Sequence, residues 1–168
     1  MIPPRAVFVL FAVVAVRQLG AQQKEVCQQI AVPNTHTGSV QVNGQTQTYI
    51  GGGVHIRCPK SGITIKSDSA EQYNVNTETG DKANNSTRTE VLEAWGNVVV
   101  TFVDGRSLKT AHLIYKRQLD DISSDTTFEI SGPKGTYRGK GVSFDSGFTR
   151  FKCAMSCGGS SAVVVPNR

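Results

Sequence analysis

Gly96-Asn97-Val98-Val99-Val100-Thr101-Phe102-Val103, then Asp104-Gly105-Arg106-Ser107, then Leu108-Lys109-Thr110-Ala111-His112-Leu113-Ile114-Tyr115. This stretch decides the fold. Val91 to Val103 is the most apolar part of the chain after its N-terminus, broken by Gly96-Asn97, and its β-branched and aromatic residues suit a pleated strand. Asp104-Gly105 is a hairpin signal, because such pairs accept the left-handed conformations that tight β-turns need. The chain then returns through Leu108 to Tyr115. Past the first 21 residues, only Leu113 to Leu119 carries even a weak helical period, so the class is all-β.

The same unit occurs earlier. Gly52-Gly53-Val54-His55-Ile56, a turn, then Ile63-Thr64-Ile65-Lys66-Ser67-Asp68-Ser69-Ala70 aligns with Gly96-Asn97-Val98-Val99-Val100, a turn, then Leu108-Lys109-Thr110-Ala111-His112-Leu113, with offsets of 44 before the turn and 43 after it. Each unit is a strand, a tight turn and a second strand. Neither buries its apolar face alone, whereas stacked units make one continuous core or a groove.

Outward from the repeat the pattern stays extended. Val40-Gln41-Val42, Asn43-Gly44 and Gln45 to Ile50 form a first ribbon at about residues 39 to 50. A second hairpin follows, with Val54 to Cys58 and Ile63 to Lys66 alternating around a turn at Pro59 to Gly62. Asn74 to Arg88 has little apolar content and reads as a long turn or inserted loop, with overlapping glycosylation sequons in Asn84-Asn85-Ser86-Thr87. Ile122, then Phe128 and Ile130, are the apolar positions of the next two strands. Ser131 to Gly135 turns, Val142 and Phe144 alternate, and Phe148 to Lys152 closes the ordered part. The expected organisation is a lead-in over 22–38, a β-domain over 39–153 and a tail over 154–168.

The chain has 168 residues, 38% of them hydrophobic and 18% charged, with 17 glycines and a net charge of +5. That length fits one domain. An apolar run from Ala6 to Val16 lies between Arg5 and Arg17. It is too short for a bilayer, which takes roughly 20 residues, and has the form of a secretory h-region, with Leu19-Gly20-Ala21 as a cleavage site. Cleavage after Ala21 removes both arginines and lowers the net charge to +3. A strongly basic partner-binder is thereby excluded, and the reading is an exported, folded domain.

Cys27, Cys58, Cys153 and Cys157 all lie after that site, an even number that an oxidising compartment pairs in one of three ways. Their spacings lack the close pairs and nearby histidines of a zinc site. Lys24-Glu25-Val26 before Cys27 is no lipobox. His36, His55 and His112 are far apart, and no HExxH, GxSxG or phosphate-loop pattern occurs. Asp68 and Asp104 sit at turns, where local backbone bonding accounts for them, and Gly51-Gly52-Gly53 suits a bulge or a close strand approach. No enzyme activity, metal or cofactor is expected.

Gly96-Asn97-Val98, Asp104-Gly105, the strand Leu108-x-Thr110-x-x-Leu113-x-Tyr115, Ile122-Ser123-Ser124, and Gly139-Lys140-Gly141 with Asp145 occur in an order that resembles the periplasmic lipopolysaccharide-export proteins of the LptA, LptC and OstA type. Gly52-Gly53-Val54 with Ser67-Asp68-Ser69-Ala70 looks like the same family's preceding unit. The resemblance covers about residues 45 to 150. It implies an open β-jellyroll, two facing antiparallel sheets over an apolar interior that holds acyl chains, with edge strands pairing to neighbouring jellyrolls of an export bridge. The C-terminal half looks more like the LptC branch, while the short apolar run at the N-terminus fits a cleaved, soluble protein.

On that resemblance the lipid-contacting positions are Val54, Ile56, Ile63, Ile65, Val98, Val100, Phe102, Leu108, Leu113, Tyr115, Phe128, Ile130, Val142 and Phe144. Lys134, Arg138, Lys140, Arg150 and Lys152 are candidates for the phosphates of an anionic glycolipid. Nucleic acid is not expected, since no stacking aromatics interleave with these basic residues. A jellyroll stacked in chain order puts Cys27 near Cys58 and Cys153 near Cys157, the latter pair requiring a turn at Ala154 to Ser156 because an extended strand holds them about 13 Å apart. The alternative is a disulfide-stabilised secreted β-domain with a closed core that binds protein or carbohydrate.

Overall fold

The structure, a computed structural model, describes residues 27–78 and 86–159. The expected leader over 1–21 and the Asn84 and Asn85 sequon positions lie outside the described residues. The described strands are β1 (Gln28–Gln29), β2 (His36–Val42), β3 (Gln45–Gly51), β4 (Val54–Cys58), β5 (Ile63–Ser67), β6 (Ser69–Glu78), β7 (Ser86–Thr101), β8 (Ser107–Lys116), β9 (Asp121–Gly132), β10 (Gly135–Phe144) and β11 (Phe151–Gly159), with one 3-10 turn at Arg117–Leu119.

The turns follow from their residues. Asn43 and Gly44 both take positive φ, 51° and 74°, the primed turn whose twist matches the flanking strands. In the β7–β8 hairpin the Gly105 N–H donates to the Phe102 carbonyl and the Phe102 N–H to Arg106, with Gly105 at φ 84°. A single left-handed residue after the turn lets the strands close.

All pairings are antiparallel. The order is β1-β4-β5-β7-β8-β9-β10-β11, with β2, β3 and β6 branching from β7. The branch shows how the sheet becomes two layers. β7 pairs with β5 through Val99, Val100 and Thr101, and with β6 from Ser86 to Trp95. One side of one strand serves two neighbours only because it bends between them. The first layer holds β4, β5 and the parts of β7, β8, β9 and β10 around Val100, Leu108, Ile130 and Tyr137. The second holds β3, β6 and the parts around Leu92, Tyr115, Ile122 and Phe144.

The bend is a line of bulges. Register shifts fall between Trp95 and Val98, between Thr110 and Ile114, and between Lys140 and Val142. Gly96 at φ 70° and Asn97 at φ 45° make the β7 bulge, and a Cβ on Gly96 would overlap the Asp68 carboxylate. Asp68 lies at the break between β5 and β6. Its N–H donates to the Trp95 and Gly96 carbonyls, and its carboxylate accepts from the Asn97 amide at 2.8 Å. Further along, the Thr110 hydroxyl lies 2.8 Å from those of both Ser124 and Thr126 and 3.0 Å from the Thr127 carbonyl. Bulges free backbone groups from the ladder, and these hydroxyls satisfy them where water is excluded.

Each layer's inner face is apolar and is buried by the other layer, since no α-helix covers the described strands. Ile65, Val100, Leu108, Leu113, Tyr115, Ile122 and Ile130 are fully buried in one cluster that draws on both layers. The architecture is the open β-jellyroll expected from the resemblance.

Several local expectations change. Most of the segment from Asn74 to Arg88, expected as a loop, is strand: β6 and β7 stay paired from Asn74 opposite Glu90 to Glu78 opposite Ser86. Ile122, Phe128 and Ile130 belong to one strand, β9, rather than two. Strand order extends beyond 39–153 at both ends, through β1, the start of β2, and β11 as far as Gly159. The weak helical period resolves into the end of β8 and a single 3-10 turn.

Candidate functional site

The fourteen positions expected to face lipid all lie in the one apolar interior. Val54 and Ile56 of β4, Ile63 and Ile65 of β5, Val98 and Val100 of β7, Leu108 of β8 and Phe128 and Ile130 of β9 come from the first layer, with Phe102 just past β7. Leu113 and Tyr115 of β8 and Val142 and Phe144 of β10 come from the second. Alternation puts each on the inner face, with polar neighbours such as Lys66, Lys109 and Glu129 on the outer face. The interior also includes Ile50, Ala70, Leu92, Ala94 and Ile122. The sequence reading counts none of these among the lipid contacts, although it names Ile122 as an apolar strand position; Leu92-Glu93-Ala94 does alternate, and that is the signal that could have found two of the others.

Away from the bulge line the layers meet through side chains. Phe102, at the tip of the β7–β8 hairpin, packs edge-on against Phe148 at 4.8 Å and lies 5.9 Å from Phe144, both at the tip of the β10–β11 hairpin. The Arg106 guanidinium sits 3.7 Å above the Phe148 ring. No strand pairing joins these two tips among the described residues. This side is a seam, whereas the bulge line is a hinge with continuous backbone.

Disulfides stand at two edges of the sheet, at β1 and at β11. Cys27–Cys58 ties the segment before β1 to the end of β4, with Cα atoms 4.1 Å apart. Cys153–Cys157 closes over 6.4 Å within β11 itself. The bend it needs is a bulge rather than a turn: Arg138 and Lys140 of β10 face Gly158 and Met155, so β11 carries an extra residue, and Ser156 takes φ 38°. Gly139 leaves room for Cys157, since a Cβ there would come within 2.5 Å of its sulfur.

The five basic candidates do not converge. Arg138 is paired with Glu129, its Nε 2.7 Å from the carboxylate, and that guanidinium lowers the Glu129 pKa by hydrogen bonding. Arg150 donates to the Leu119 and Asp120 carbonyls at 3.2 and 3.1 Å. Lys140 and Lys152 are exposed on the outer strands and Lys134 lies in the β9–β10 turn at the opposite end from Arg150. The strands thus set these five phosphate candidates apart from one another.

A polar network crosses the outer face of the second layer. His112 of β8 bridges Glu93 of β7 at 2.7 Å and Asp125 of β9 at 2.8 Å, and it stacks on Trp95 at 5.8 Å. Tyr73 of β6 donates to Glu93 at 2.7 Å. Burial opposes charge on His112, but its hydrogen bonds to the Asp125 and Glu93 carboxylates and the charges of those groups outweigh it and raise its pKa. Burial, the Glu93 hydrogen bond and the charges of Glu93 and Glu71 raise that of Tyr73. The network staples four strands and faces away from the interior.

The profile of the lipopolysaccharide-assembly, LptC-related family matches residues 62–148, more than half of the chain. The match, on an all-β jellyroll with an apolar interior, places the molecule in the class of lipopolysaccharide-assembly domains. The chain belongs to the LptC-related family, and its role lies in lipopolysaccharide transport. The match includes both strands of the second repeat unit, the β7–β8 hairpin and β10 with the tip that follows it as far as Phe148, while β11 lies beyond it. No curated protein matches the sequence.

Proposed function

We propose that this chain is a periplasmic component of lipopolysaccharide transport that holds acyl chains between its two layers, entering through the Phe102–Phe148 seam. The observation that carries the reading is the contrast between a hydrogen-bonded bulge line and a far side closed by side chains over a continuous apolar interior. Parting the seam gives up two aromatic contacts and a cation–π contact, each worth roughly 0.5–1.5 kcal/mol. Burying about five methylenes at roughly 0.8 kcal/mol each offsets that. In this account the leader is cleaved after Ala21, the domain acts outside the inner membrane, and edge strands β2 and β11 pair with neighbouring jellyrolls. It uses no enzyme activity, metal or cofactor.

The closed-core alternative draws on the full burial of the interior side chains. Mass spectrometry of an organic extract of the purified protein separates the two. The transport reading expects a co-purifying acylated glycolipid, displaced when Phe102 is replaced by Glu. A lipid-free extract, with no uptake of added lipopolysaccharide, favours the closed binding domain.

A further inference from the structure

The two disulfides differ in what they hold. Cys27–Cys58 joins residues 31 apart in sequence, and Cys58 is 0% exposed. Cys153–Cys157 joins residues four apart, and both cysteines are half-buried. It lies on β11, whose outer side pairs with no strand among the described residues. Ala154, Met155 and Ser156 between the two cysteines are exposed. A bond that closes a short loop restricts the unfolded chain less than one that closes a long loop, so the fold depends less on this one. Its position at an open edge also admits an attacking thiol, the setting in which exchangeable disulfides are found.

Its place in the sheet gives it something to hold. Cys153 pairs with Val142 of the second layer, and Gly158, next to Cys157, pairs with Arg138 of the first. The bond therefore spans the line along which the strands bend from one layer to the other, at the edge where that line ends. Between the cysteines β11 carries its extra residue, with Ser156 at φ 38°, a left-handed conformation that residues other than glycine adopt at a cost. β10 is fitted to this shape: at Gly141, with φ 72°, a Cβ would come within 2.7 Å of the Ala154 Cβ. A straight strand would hold the two cysteine Cα atoms about 13 Å apart, whereas the bond holds them at 6.4 Å.

We infer that Cys153–Cys157 is a site of thiol–disulfide exchange with a dithiol partner, and that its state sets the shape of edge strand β11. One thiolate of the partner attacks a cysteine sulfur to form a mixed disulfide, and the other cysteine leaves as a thiolate that takes up a proton. The partner's second thiolate then breaks the mixed disulfide. The chain gains two electrons and two protons, and the partner is oxidised to a disulfide. In the oxidised chain the bulge breaks β11 into two short pieces, a form that resists addition of another strand. In the reduced chain β11 is free to straighten and to offer one continuous edge. This last step rests on the edge pairing proposed above and makes it depend on the redox state of the strand.

The test treats the folded full chain with dithiothreitol without denaturant, alkylates the freed thiols with N-ethylmaleimide and maps the peptides by mass spectrometry. Cys153 and Cys157 are expected to be labelled at least tenfold faster than Cys27 and Cys58. Equal rates, or faster labelling of Cys27 and Cys58, overturn the exchange site. Amide hydrogen exchange then reads the edge in the oxidised chain, in the reduced chain and in the double variant Cys153→Ser, Cys157→Ser, so that either bond-free form serves should the other fold poorly. Exchange over 153–157 is expected to be at least tenfold faster without the bond, with β7 and β8 unchanged. Equal exchange over 153–157 with and without the bond, or a comparable rise throughout β7 and β8, overturns the lock. Neither readout involves lipid or a neighbouring protein, so the transport reading stands or falls separately.

Discussion

The two sides of this sandwich are closed by different physics. Along the bulge line the strands run through from one layer to the other, and Asp68, Thr110 and Ser124 satisfy the backbone groups that the bulges release, with the Asn97 amide holding the Asp68 carboxylate. At the seam two hairpin tips touch through Phe102, Phe144, Phe148 and Arg106. A line of backbone hydrogen bonds opens only by unfolding, whereas side-chain contacts reopen at the cost of their own packing. On the proposed function the seam is the side that parts and the bulge line the side that holds.

Substitutions on the two sides sharpen that contrast. The largest effect is expected from Leu113→Glu, in the middle of the second layer and 0% exposed. An unpaired charge there unfolds the domain, and circular dichroism is expected to show loss of the β signal at 25 °C. Next is Gly96→Val at the bulge line, which combines a left-handed φ with overlap on Asp68. A loss of about 2–4 kcal/mol in urea denaturation is expected. Phe102→Ala at the seam is expected to cost less, about 1–2 kcal/mol, because Phe102 lies at the rim of the interior, where two hairpin tips joined only by side chains close in on the space it leaves. Acyl-probe uptake is expected to become faster. A seam variant as damaging as the bulge-line variant would break the comparison.

The smallest expected effect concerns pH. His112 has a folded pKa raised above its unfolded value of about 6.5. Its stabilising contribution is therefore complete below that pH and is lost as pH rises through the folded value. The Asp125 pKa is lowered, chiefly by the His112 hydrogen bond, so its contribution is present above the ordinary value of 3.8 and lost as pH falls through the folded one. The melting-temperature gap between wild type and His112→Gln is expected to be widest at about pH 5–6 and to shrink by pH 9. A gap that grows with pH contradicts the staple.

What was legible in the sequence was whatever rested on local chemistry. Asn43-Gly44 and Asp104-Gly105 fixed two hairpins, and period-two alternation found fourteen interior positions, because both signals depend on neighbours in the chain. The outer reach of β6 and β7 was missed because the segment has almost no apolar residues to alternate and is rich in Asn, which strands disfavour. There the pairing of Asn74 with Glu90 and of Asn76 with Arg88 overrides composition. β9 looked like two strands because the hydroxyls that satisfy the bulges, Ser124 and Thr126, sit in its middle. Arg117 gave no sign of burial, since its partner Glu90 lies on a different strand and meets it only in the folded chain.

The most direct test is photo-crosslinking to purified lipopolysaccharide from a benzoylphenylalanine placed at single positions. Phe102 probes the seam and Phe128 the interior, while Lys109, on the outer face of β8, is the control. The expected result is a lipopolysaccharide adduct from 102 and 128 and none from 109. Labelling from 109 as strong as from 102, or no labelling from either inner position in a folded protein, would contradict a groove that opens at the seam.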